Sequence, residues 1–282
     1  MIDLQSSVWA DALRDGLGAT HHQHTAAGAI TCFKAGPFRL AYPDFFSGCS
    51  GPVDEQSLQQ YLVTADQLKA DLVRVQTPQL LASSRPLARH SQTSCEITSL
   101  QDWDERSLDK ARRTGNREKR SPLRLRKGTA DDGQYLHELY LATIRRHGGA
   151  IRYNRRYFEH LAPHAATVAE LDGQPCGFVC TGVRNHTAYY MHGAHAVEAR
   201  KHYVSDLLFL SMIRQARAAG MTSFDFLPSP ANQPNLLAYK MLWGAAPRSF
   251  NVYDFALKPL RARGLLLAIK ASNLISSWRR QR

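Results

Sequence analysis

The sequence is poor in cysteine, in long apolar runs, and in acidic residues relative to basic ones. Its 282 residues include five scattered cysteines and no Cys-x-x-Cys pair, so we expect reduced core thiols rather than a disulfide framework or a metal site. No run of 18 apolar residues is present, which excludes a transmembrane helix. The first 18 residues lack a basic segment followed by an apolar one, so they are not typical of a secretory signal.

Basic residues are in excess and are clustered. The chain has 36 Lys and Arg against 24 Asp and Glu, a formal net charge of +12. Nine basic residues lie between Arg106 and Arg126, where only Asp109 and Glu118 are acidic, and no acidic residue follows Asp254. This excess fits either solvated surface charge or a polyanionic partner such as RNA, a phosphorylated substrate or an anionic membrane. The clustering favours a partner.

Apolar periodicity predicts alternating helices and strands along the chain, which indicates an α/β fold. A helix is predicted over 102–114, ended by Gly115, whereas 77–94 is predicted to be irregular because of its proline and polar content. A hairpin is predicted from strands at 167–171 and 177–183, joined by a turn at Asp172-Gly173.

The most informative stretch begins with a strand predicted over 187–192, rich in aromatic and β-branched residues. An amphipathic helix follows, with Ser205 and Asp206 as its N-cap and Gly220 as its end.

A carboxylate and a lysine come next in this stretch. Asp225 lies in a short strand predicted over 223–227, a loop of proline and asparagine follows, and Lys240 lies in a helix predicted over 236–242. We expect the strand end, the loop and the lysine to converge on one cleft.

Four segments, taken in order, resemble the FemAB-like branch of the GNAT-fold transferases. They are the basic helix and glycine of 100–115, the strand Tyr189-Tyr190-x-x-Gly193-Ala194, the helix–glycine–strand unit of 207–226, and the closing Tyr239-Lys240-x-x-Trp243-Gly244-Ala245. The resemblance covers nearly the whole chain and is strongest from 123 to 255. This branch includes enzymes that add amino acids to cell-wall precursors from aminoacyl-tRNA, and related acyl- and acetyltransferases.

The resemblance implies an α/β (α+β) fold of two tandem GNAT-like units, each a mixed, mostly antiparallel sheet flanked by helices. We predict an N-terminal unit over 1–105, a basic connecting segment over 106–122, a catalytic unit over 123–258, and a basic amphipathic tail over 259–282. The tail fits either a closing helix packed on the domain or a helix lying on an anionic membrane. We expect a cytoplasmic location, with the inner face of the membrane as a second site.

The chain departs from the common acetyltransferases in one segment. Those enzymes hold the coenzyme A pyrophosphate with a glycine-rich loop at a helix N-terminus, and residues 197–206 contain no glycine. The departure favours aminoacyl-tRNA as the donor. Acyl-CoA stays open as a donor, because Arg200 and Lys201 are able to hold phosphates in place of the loop.

Three residues are catalytic candidates: the resemblance implies the roles of Lys240 and Tyr190, and the position of Asp225 at a strand end suggests its role. Lys240 would stabilise the oxyanion or hold a nearby phosphate, Asp225 would orient the attacking amine or take its proton, and Tyr190 would line the reacting cleft. The alternatives are a surface lysine, a carboxylate that caps the following loop, and a core aromatic ring.

Further candidates are assigned by position. The donor or phosphate-binding candidates are Arg200, Lys201, Tyr203, Arg112 and Arg113. The cleft-lining candidates are His192, Asn232, Asn235, Tyr239 and Trp243. No metal site is predicted, because His21-His22-x-His24 has no acidic partner at suitable spacing and lies in a loop-like context.

The resemblance implies an acyl- or aminoacyltransferase without a tightly bound cofactor, using aminoacyl-tRNA or acyl-CoA as co-substrate. No Ser-His-Asp or Cys-His set is evident, so we expect an acceptor amine, from a cell-envelope precursor or a small metabolite, to attack the donor directly. The alternatives are an acyl-CoA-dependent N-acetyltransferase and a non-catalytic RNA- or membrane-binding protein on a degenerate transferase scaffold.

Overall fold

The computed structural model describes residues 1–46, 53–82, 85–229 and 234–278, with side chains as far as residue 271. The strands are β1 (Ile2–Asp3), β2 (Ala19–Thr25), β3 (Gly28–Ala35), β4 (Phe38–Pro43), β5 (Leu72–Thr77), β6 (Ala88–Ile97), β7 (Arg124–Lys127), β8 (Ala166–Leu171), β9 (Gln174–Arg184), β10 (Thr187–His195), β11 (Ser223–Asp225) and β12 (Ala246–Ala256). The helices are α1 (Ser7–Leu17), α2 (Glu55–Gln67), α3 (Asp109–Glu118), α4 (Gly133–His147), α5 (Arg155–Ala165), α6 (Val204–Ala218), α7 (Pro234–Met241) and α8 (Pro259–Trp278).

The chain divides into two compact units, each built from three stretches. The first unit comprises Met1–Ala12, Thr93–Thr143 and Tyr153–Arg248. The second unit comprises Leu13–Gln92, Ile144–Arg152 and Ser249–Arg282. The predicted boundaries of the N-terminal unit, the basic connecting segment and the catalytic unit, at residues 105, 122 and 258, stay predictions.

The sheet of the first unit is mixed and mostly antiparallel, as predicted. Its strand order is β6-β11-β10-β9-β8-β7, with β1 parallel to β9 and β10 parallel to β11. The predicted hairpin is confirmed as β8 and β9, which pair antiparallel. Asp172 and Gly173 between them have φ of 51° and 75°, the left-handed pair that tight hairpin turns require.

Two helices, α5 and α6, pack on the sheet of the first unit. Helix α6 buries Leu207, Leu210 and Ile213 among its nine buried residues, so it is apolar over most of its circumference. Helix α5 has Asn154 as its N-cap, and the Oδ1 of Asn154 accepts a hydrogen bond from the backbone N–H of Tyr157. Burial of these faces fixes the strands that carry the candidate site.

The start of α4 approaches α5 so closely that Gly133 has no room for a side chain. A Cβ at this position would lie 2.6 Å from the Cα of Glu159 and 2.9 Å from its backbone nitrogen. Gly133→Ala is therefore expected to lower the free energy of unfolding by about 2–3 kcal/mol, because two helix backbones have to separate. Urea unfolding measures this loss, with the neighbouring exposed Gln134→Ala as the control. Equal midpoints for the two variants would contradict the packing described.

The second unit has the strand order β2-β3-β4-β5-β12, with β4 parallel to β5 and the other described pairs antiparallel. The guanidinium of Arg74 on β5 binds Asp254 on β12 through two hydrogen bonds, of 2.7 Å and 2.9 Å. This bidentate pair has little access to water and links adjacent strands. A mixed, mostly antiparallel sheet is thus present in both units.

Two predictions on secondary structure were wrong in this region. The segment 77–94 is not irregular throughout, since β6 begins at Ala88. Arg89 and Ser91 on β6 bond to Asn251 and Phe250, and this pairing with a distant strand leaves no local signal. The run 21–24 lies on strand β2 rather than in a loop, paired with β3.

The tail forms helix α8, and its first turns pack on the second unit. Leu265 is buried beside Leu40, whereas Leu260 and Leu267 are 84% and 67% exposed. Among the described helices, none is long and apolar enough to cross a membrane. Membrane contact through 259–282 stays a prediction.

Candidate active site

Strands β10 and β11 part where the candidate catalytic residues lie. They pair in parallel from Thr187 with Ser223 to Tyr189 with Asp225, and β11 ends there. Strand β10 continues to His195 against β9. In the described part of the chain, β10 therefore has no strand partner on its β11 side beyond Tyr189.

Asp225, at the end of β11, is a fully buried carboxylate with one unused oxygen. Its Oδ1 accepts hydrogen bonds from the Ser94 hydroxyl and from the backbone N–H of Leu227, the latter at 2.7 Å. Its Oδ2 is buried and has no hydrogen-bond partner among the described residues. Burial raises the pKa of Asp225 to about 6, against the opposing effect of the two hydrogen bonds. A buried carboxylate with a free oxygen and a raised pKa is suited to accept a proton near neutral pH.

The side chain of Lys240, on α7, reaches the backbone of Leu227, which also binds Asp225. Its Nζ donates to the carbonyl oxygen of Leu227 at 2.7 Å, and the residue is 2% exposed. Burial lowers the pKa of Lys240 to about 8, with the neighbouring Cys95 and Asp225 acting in the opposite direction. The ammonium is thus buried close to the carboxylate, as the predicted convergence requires.

Leu227 holds these two groups together and carries backbone strain. Its N–H binds Asp225 and its carbonyl binds Lys240, while its own φ is 59°. A left-handed conformation is unusual for a leucine and costs about 1–2 kcal/mol. No sequence signal pointed to Leu227, since left-handed conformations are expected at glycine or asparagine.

Three predicted residues are brought together around Phe209 of α6. Its ring centroid lies 5.0 Å from that of Tyr190, 5.2 Å from Tyr239 and 5.9 Å from Trp243. The Tyr190 hydroxyl lies against Gly193, where a Cβ would come within 2.6 Å of it. Burial raises the pKa of Tyr190, so its hydroxyl is protonated and able to donate. This aromatic wall is mainly a packing surface, and its polar groups are the two tyrosine hydroxyls and the buried indole nitrogen of Trp243.

Asp206 organises the polar end of this aromatic wall. Its carboxylate accepts hydrogen bonds from Lys110 Nζ at 2.6 Å and from the Tyr239 hydroxyl at 2.8 Å. The predicted N-cap role was wrong: α6 begins at Val204, and its N-cap is Tyr203, with φ of 59° and no side-chain cap. Residue composition favours a cap at this position, but long-range pairing with α3 and α7 takes the carboxylate instead.

Removing the negative charge of Asp206 is expected to destabilise the fold. The side chain of Asp206 is 10% exposed and that of Lys110 is 22%, so Asp206→Asn leaves an ammonium with little water and no counter-charge from this residue. We expect a loss of about 2 kcal/mol in chemical unfolding. Asp109→Asn is the matched control, because Asp109 is 53% exposed and its pairs with arginines are expected to contribute less than about 0.5 kcal/mol. Equal losses in the two variants would show that Asp206 is not a buried anchor.

His192 is placed apart from Tyr190, although only Met191 separates them on one strand. Pairing of β10 with β9 shifts between Tyr190 and His192, which marks a bulge at Met191. Because of this extra residue, His192 contacts α5 instead of α6, with its Nε2 2.7 Å from the Tyr157 hydroxyl. Burial lowers the pKa of His192 to about 3, so the ring is neutral. The bulge has no clear sequence signal.

Two donor-binding candidates line a basic cavity of about 660 Å³ beside the start of α6. Lys201 and Tyr203 form one wall, and Arg117, Lys119 and Arg120 from the end of α3 form the other. The guanidinium carbon of Arg117 lies 3.9 Å from the centroid of the Tyr203 ring, a cation–π contact. We call this the basic cavity.

The other donor-binding candidates lie elsewhere. Arg200 donates through Nε to the ring of His195 at 3.3 Å. Arg112 and Arg113 form exposed ion pairs with Asp109 on their own helix. The predicted end of that helix at Gly115 was wrong, because Gly115 lies inside α3, where its missing side chain makes room for the carboxylate of Glu105.

The remaining candidate residues are not part of the Asp225–Lys240 pair, the aromatic cluster or the basic cavity. Asn235 is exposed at the start of α7. Asn232 lies outside the described residues. His22 and His24 stack edge to face on β2 at 5.3 Å between ring centroids, and in the part of the chain that the structure describes no three His, Cys, Asp or Glu side chains are grouped to hold a metal ion.

The predicted resemblance to GNAT-fold transferases is confirmed. Residues 105–241 match the family model described as an acetyltransferase (GNAT) domain. With the mixed sheet and the parting of β10 and β11, this match identifies the stretch as a GNAT-type acyltransferase domain. No curated protein sequence matches the chain.

Solved structures share the fold over nearly the whole chain. FemX is 15% identical with a TM-score of 0.65, covering 91% of this chain and 93% of its own. The C-terminal domain of a protein described as a lysylphosphatidylglycerol synthetase, from Agrobacterium fabrum, is 18% identical with a TM-score of 0.60, covering 94% and 92%. L-PGS from Bacillus licheniformis is 14% identical with a TM-score of 0.58, covering 95% and 97%. At these low identities, the similarities show a shared fold.

Proposed function

We propose that this chain transfers an acyl group, with an aminoacyl group favoured, from an activated ester to an acceptor amine. The observation that carries the proposal is the pairing of Asp225 and Lys240 through Leu227, at the point where β10 and β11 part. Beyond Tyr189 no described strand pairs β10 on this side, so in the proposal its peptide groups bind the acyl chain beside the buried charges.

In the proposed reaction, the acceptor nitrogen forms a bond to the ester carbonyl carbon, and the carbon–oxygen bond to the donor breaks. The Lys240 ammonium has three N–H donors, one of them directed to Leu227, and it stabilises the oxygen anion that develops on the carbonyl. Asp225 accepts the proton that the amine loses, through its free Oδ2. The donor leaves as an alcohol when its oxygen takes this proton from protonated Asp225, which returns Asp225 to the carboxylate form. No covalent acyl-enzyme is needed.

Aminoacyl-tRNA is the favoured donor for two reasons on this chain. Residues 197–206 lack the glycines of a pyrophosphate-binding loop. The basic cavity beside α6 also presents cationic side chains from two segments, as a large polyanion requires. The similar Agrobacterium structure is described as the C-terminal domain of a lysylphosphatidylglycerol synthetase.

Acyl-CoA is the second candidate donor, and the description of the matched family as acetyltransferases favours it. The two donors are separated by incubating the purified protein with amines and either aminoacyl-tRNA labelled in the amino acid or labelled acetyl-CoA. We expect label in an acid-stable amide from the tRNA donor. Amide formation from acetyl-CoA alone would overturn the choice of donor but keep the reaction class.

The acceptor is proposed to be an amine of a cell-envelope precursor, met at the inner face of the membrane. Helix α8 supports this placement, because Leu260 and Leu267 are exposed next to Arg263 and Lys270. Deletion of 259–282 would leave Leu40 uncovered, so the test is binding of the whole protein to anionic against neutral vesicles. Equal binding to both would remove the membrane from the proposal.

A further inference from the structure

We infer that the basic cavity and the end of α3 form a docking site for the phosphate backbone of an RNA, with Tyr203 as a stacking surface for one base. This inference rests on the proposed aminoacyl-tRNA donor and assigns the surface that would hold its RNA. The residues that would act are Arg117, Lys119, Arg120, Lys201 and Tyr203.

The charges of the basic cavity are not neutralised by the protein. Among the described residues, Lys119, Arg120 and Lys201 have no ion-pair partner, and no acidic residue lines the cavity. Arg117 has one carboxylate near it, that of Asp206 at 3.9 Å, and Asp206 is already bonded to Lys110. Several free cations around one cavity repel one another, and an anionic ligand relieves this repulsion.

The cavity combines charge with an aromatic ring. Tyr203 is 46% exposed, held in a left-handed conformation at the start of α6, and backed by the guanidinium of Arg117. An exposed ring next to cations that track a backbone is the combination by which proteins bind single-stranded nucleic acid, since every base offers a face for stacking. A simple phosphate would need the cations but not the ring.

The basic surface extends beyond one cavity. A second cavity of about 690 Å³ adjoins the first, and Asn116 and Lys119 line both. Arg106 and Arg217 line this second cavity together with the carboxylate of Asp104, while Glu105 and Glu118 are bound to Arg214. Cations therefore continue from the end of α3 to Arg106, which precedes α3, and to Arg217 on α6, past the extent of one phosphate group. This extent favours a polynucleotide over a small phosphorylated molecule.

The test is the binding of an unacylated RNA minihelix that ends in a single-stranded CCA, measured by fluorescence anisotropy over a series of salt concentrations. Removal of two phosphate contacts in Lys119→Ala/Arg120→Ala is expected to weaken binding at least tenfold at low salt. The slope of log K against log salt should fall by about 1.4–1.8, since each lost contact contributes about 0.7–0.9. Tyr203→Ala is expected to weaken binding about tenfold, and Tyr203→Phe to restore it.

The matched control is Arg124→Ala/Lys127→Ala, which removes two exposed cations from β7 and should keep wild-type affinity and slope. Equal effects of the two double variants would overturn the docking site, since net charge alone would then explain binding. Absence of RNA binding in a protein that acylates amines from acetyl-CoA would overturn the docking site and leave acyl transfer standing. Absence of both RNA binding and transfer from any donor would overturn the docking site and the proposed function together.

Discussion

Lys240→Met is expected to lower kcat/KM for acyl transfer at least a hundredfold while the protein stays folded. One donor to a developing oxyanion contributes about 10²–10³ in rate, and Lys240 is the cation placed at the parting of β10 and β11. Methionine fits the buried position of a lysine without a charge to desolvate. The carbonyl of Leu227 loses its donor, which costs about 1 kcal/mol.

The measurement is the steady-state rate of amide formation, combined with the urea midpoint of each variant. Lys34→Met, at an exposed position of β3, is the control and should keep wild-type rates. A drop in rate that follows a collapse of stability would assign Lys240 a structural role. A non-catalytic binding protein would show no transfer even as wild type, and Lys240→Met would keep its RNA affinity.

Asp225→Asn is expected to lower the rate of transfer about 10²–10⁴-fold and to remove the acidic limb of its pH profile. In the wild type, the rate should rise with pH as Asp225 ionises near 6 and fall again as Lys240 loses its proton near 8. Asparagine keeps an oxygen for Ser94 and Leu227, so the geometry of the loop should be retained. The measurement is kcat/KM between pH 5 and 9. A wild-type profile that is flat around pH 6 would exclude Asp225 as the base.

The same substitution has a distinct signature in stability. The folded pKa of Asp225 is above the ordinary value of 3.8, so its protonated form is favoured by folding. The wild type should therefore lose about 3 kcal/mol of stability as pH rises from about 4 to 6, and no more from this group at higher pH. Asp225→Asn should lack this loss and be more stable than wild type at pH 7. Parallel stability curves would contradict the buried state of the carboxylate.

Much of the candidate site could be predicted from local patterns. The strand that carries Asp225, the following loop and the helix that carries Lys240 have clear signals, and their order resembled that of a known fold. Aromatic residues at Tyr190, Tyr239 and Trp243 were expected to line one cleft, and they do meet, although Phe209 at their centre was not singled out.

The parts that could not be predicted depend on long-range or backbone effects. Asp206 has the composition of a helix cap, but Lys110 and Tyr239, distant in sequence, bind it in the folded chain. The bulge at Met191 separates His192 from Tyr190, which strand alternation alone places on one face. The left-handed conformation of Leu227 follows from the two bonds that it makes, and leucine gives no hint of it.

Rapid-quench transfer under single-turnover conditions tests the central claim most directly. Enzyme in excess is mixed with aminoacyl-tRNA labelled in the amino acid and with an amine acceptor, and label is followed on RNA, protein and amine. The account predicts that label passes from RNA to amine in one step, with none bound covalently to protein, and that Lys240→Met slows this step. Label that accumulates on the protein, or stays on RNA while the acceptor is bound, would contradict direct attack at the Asp225–Lys240 site.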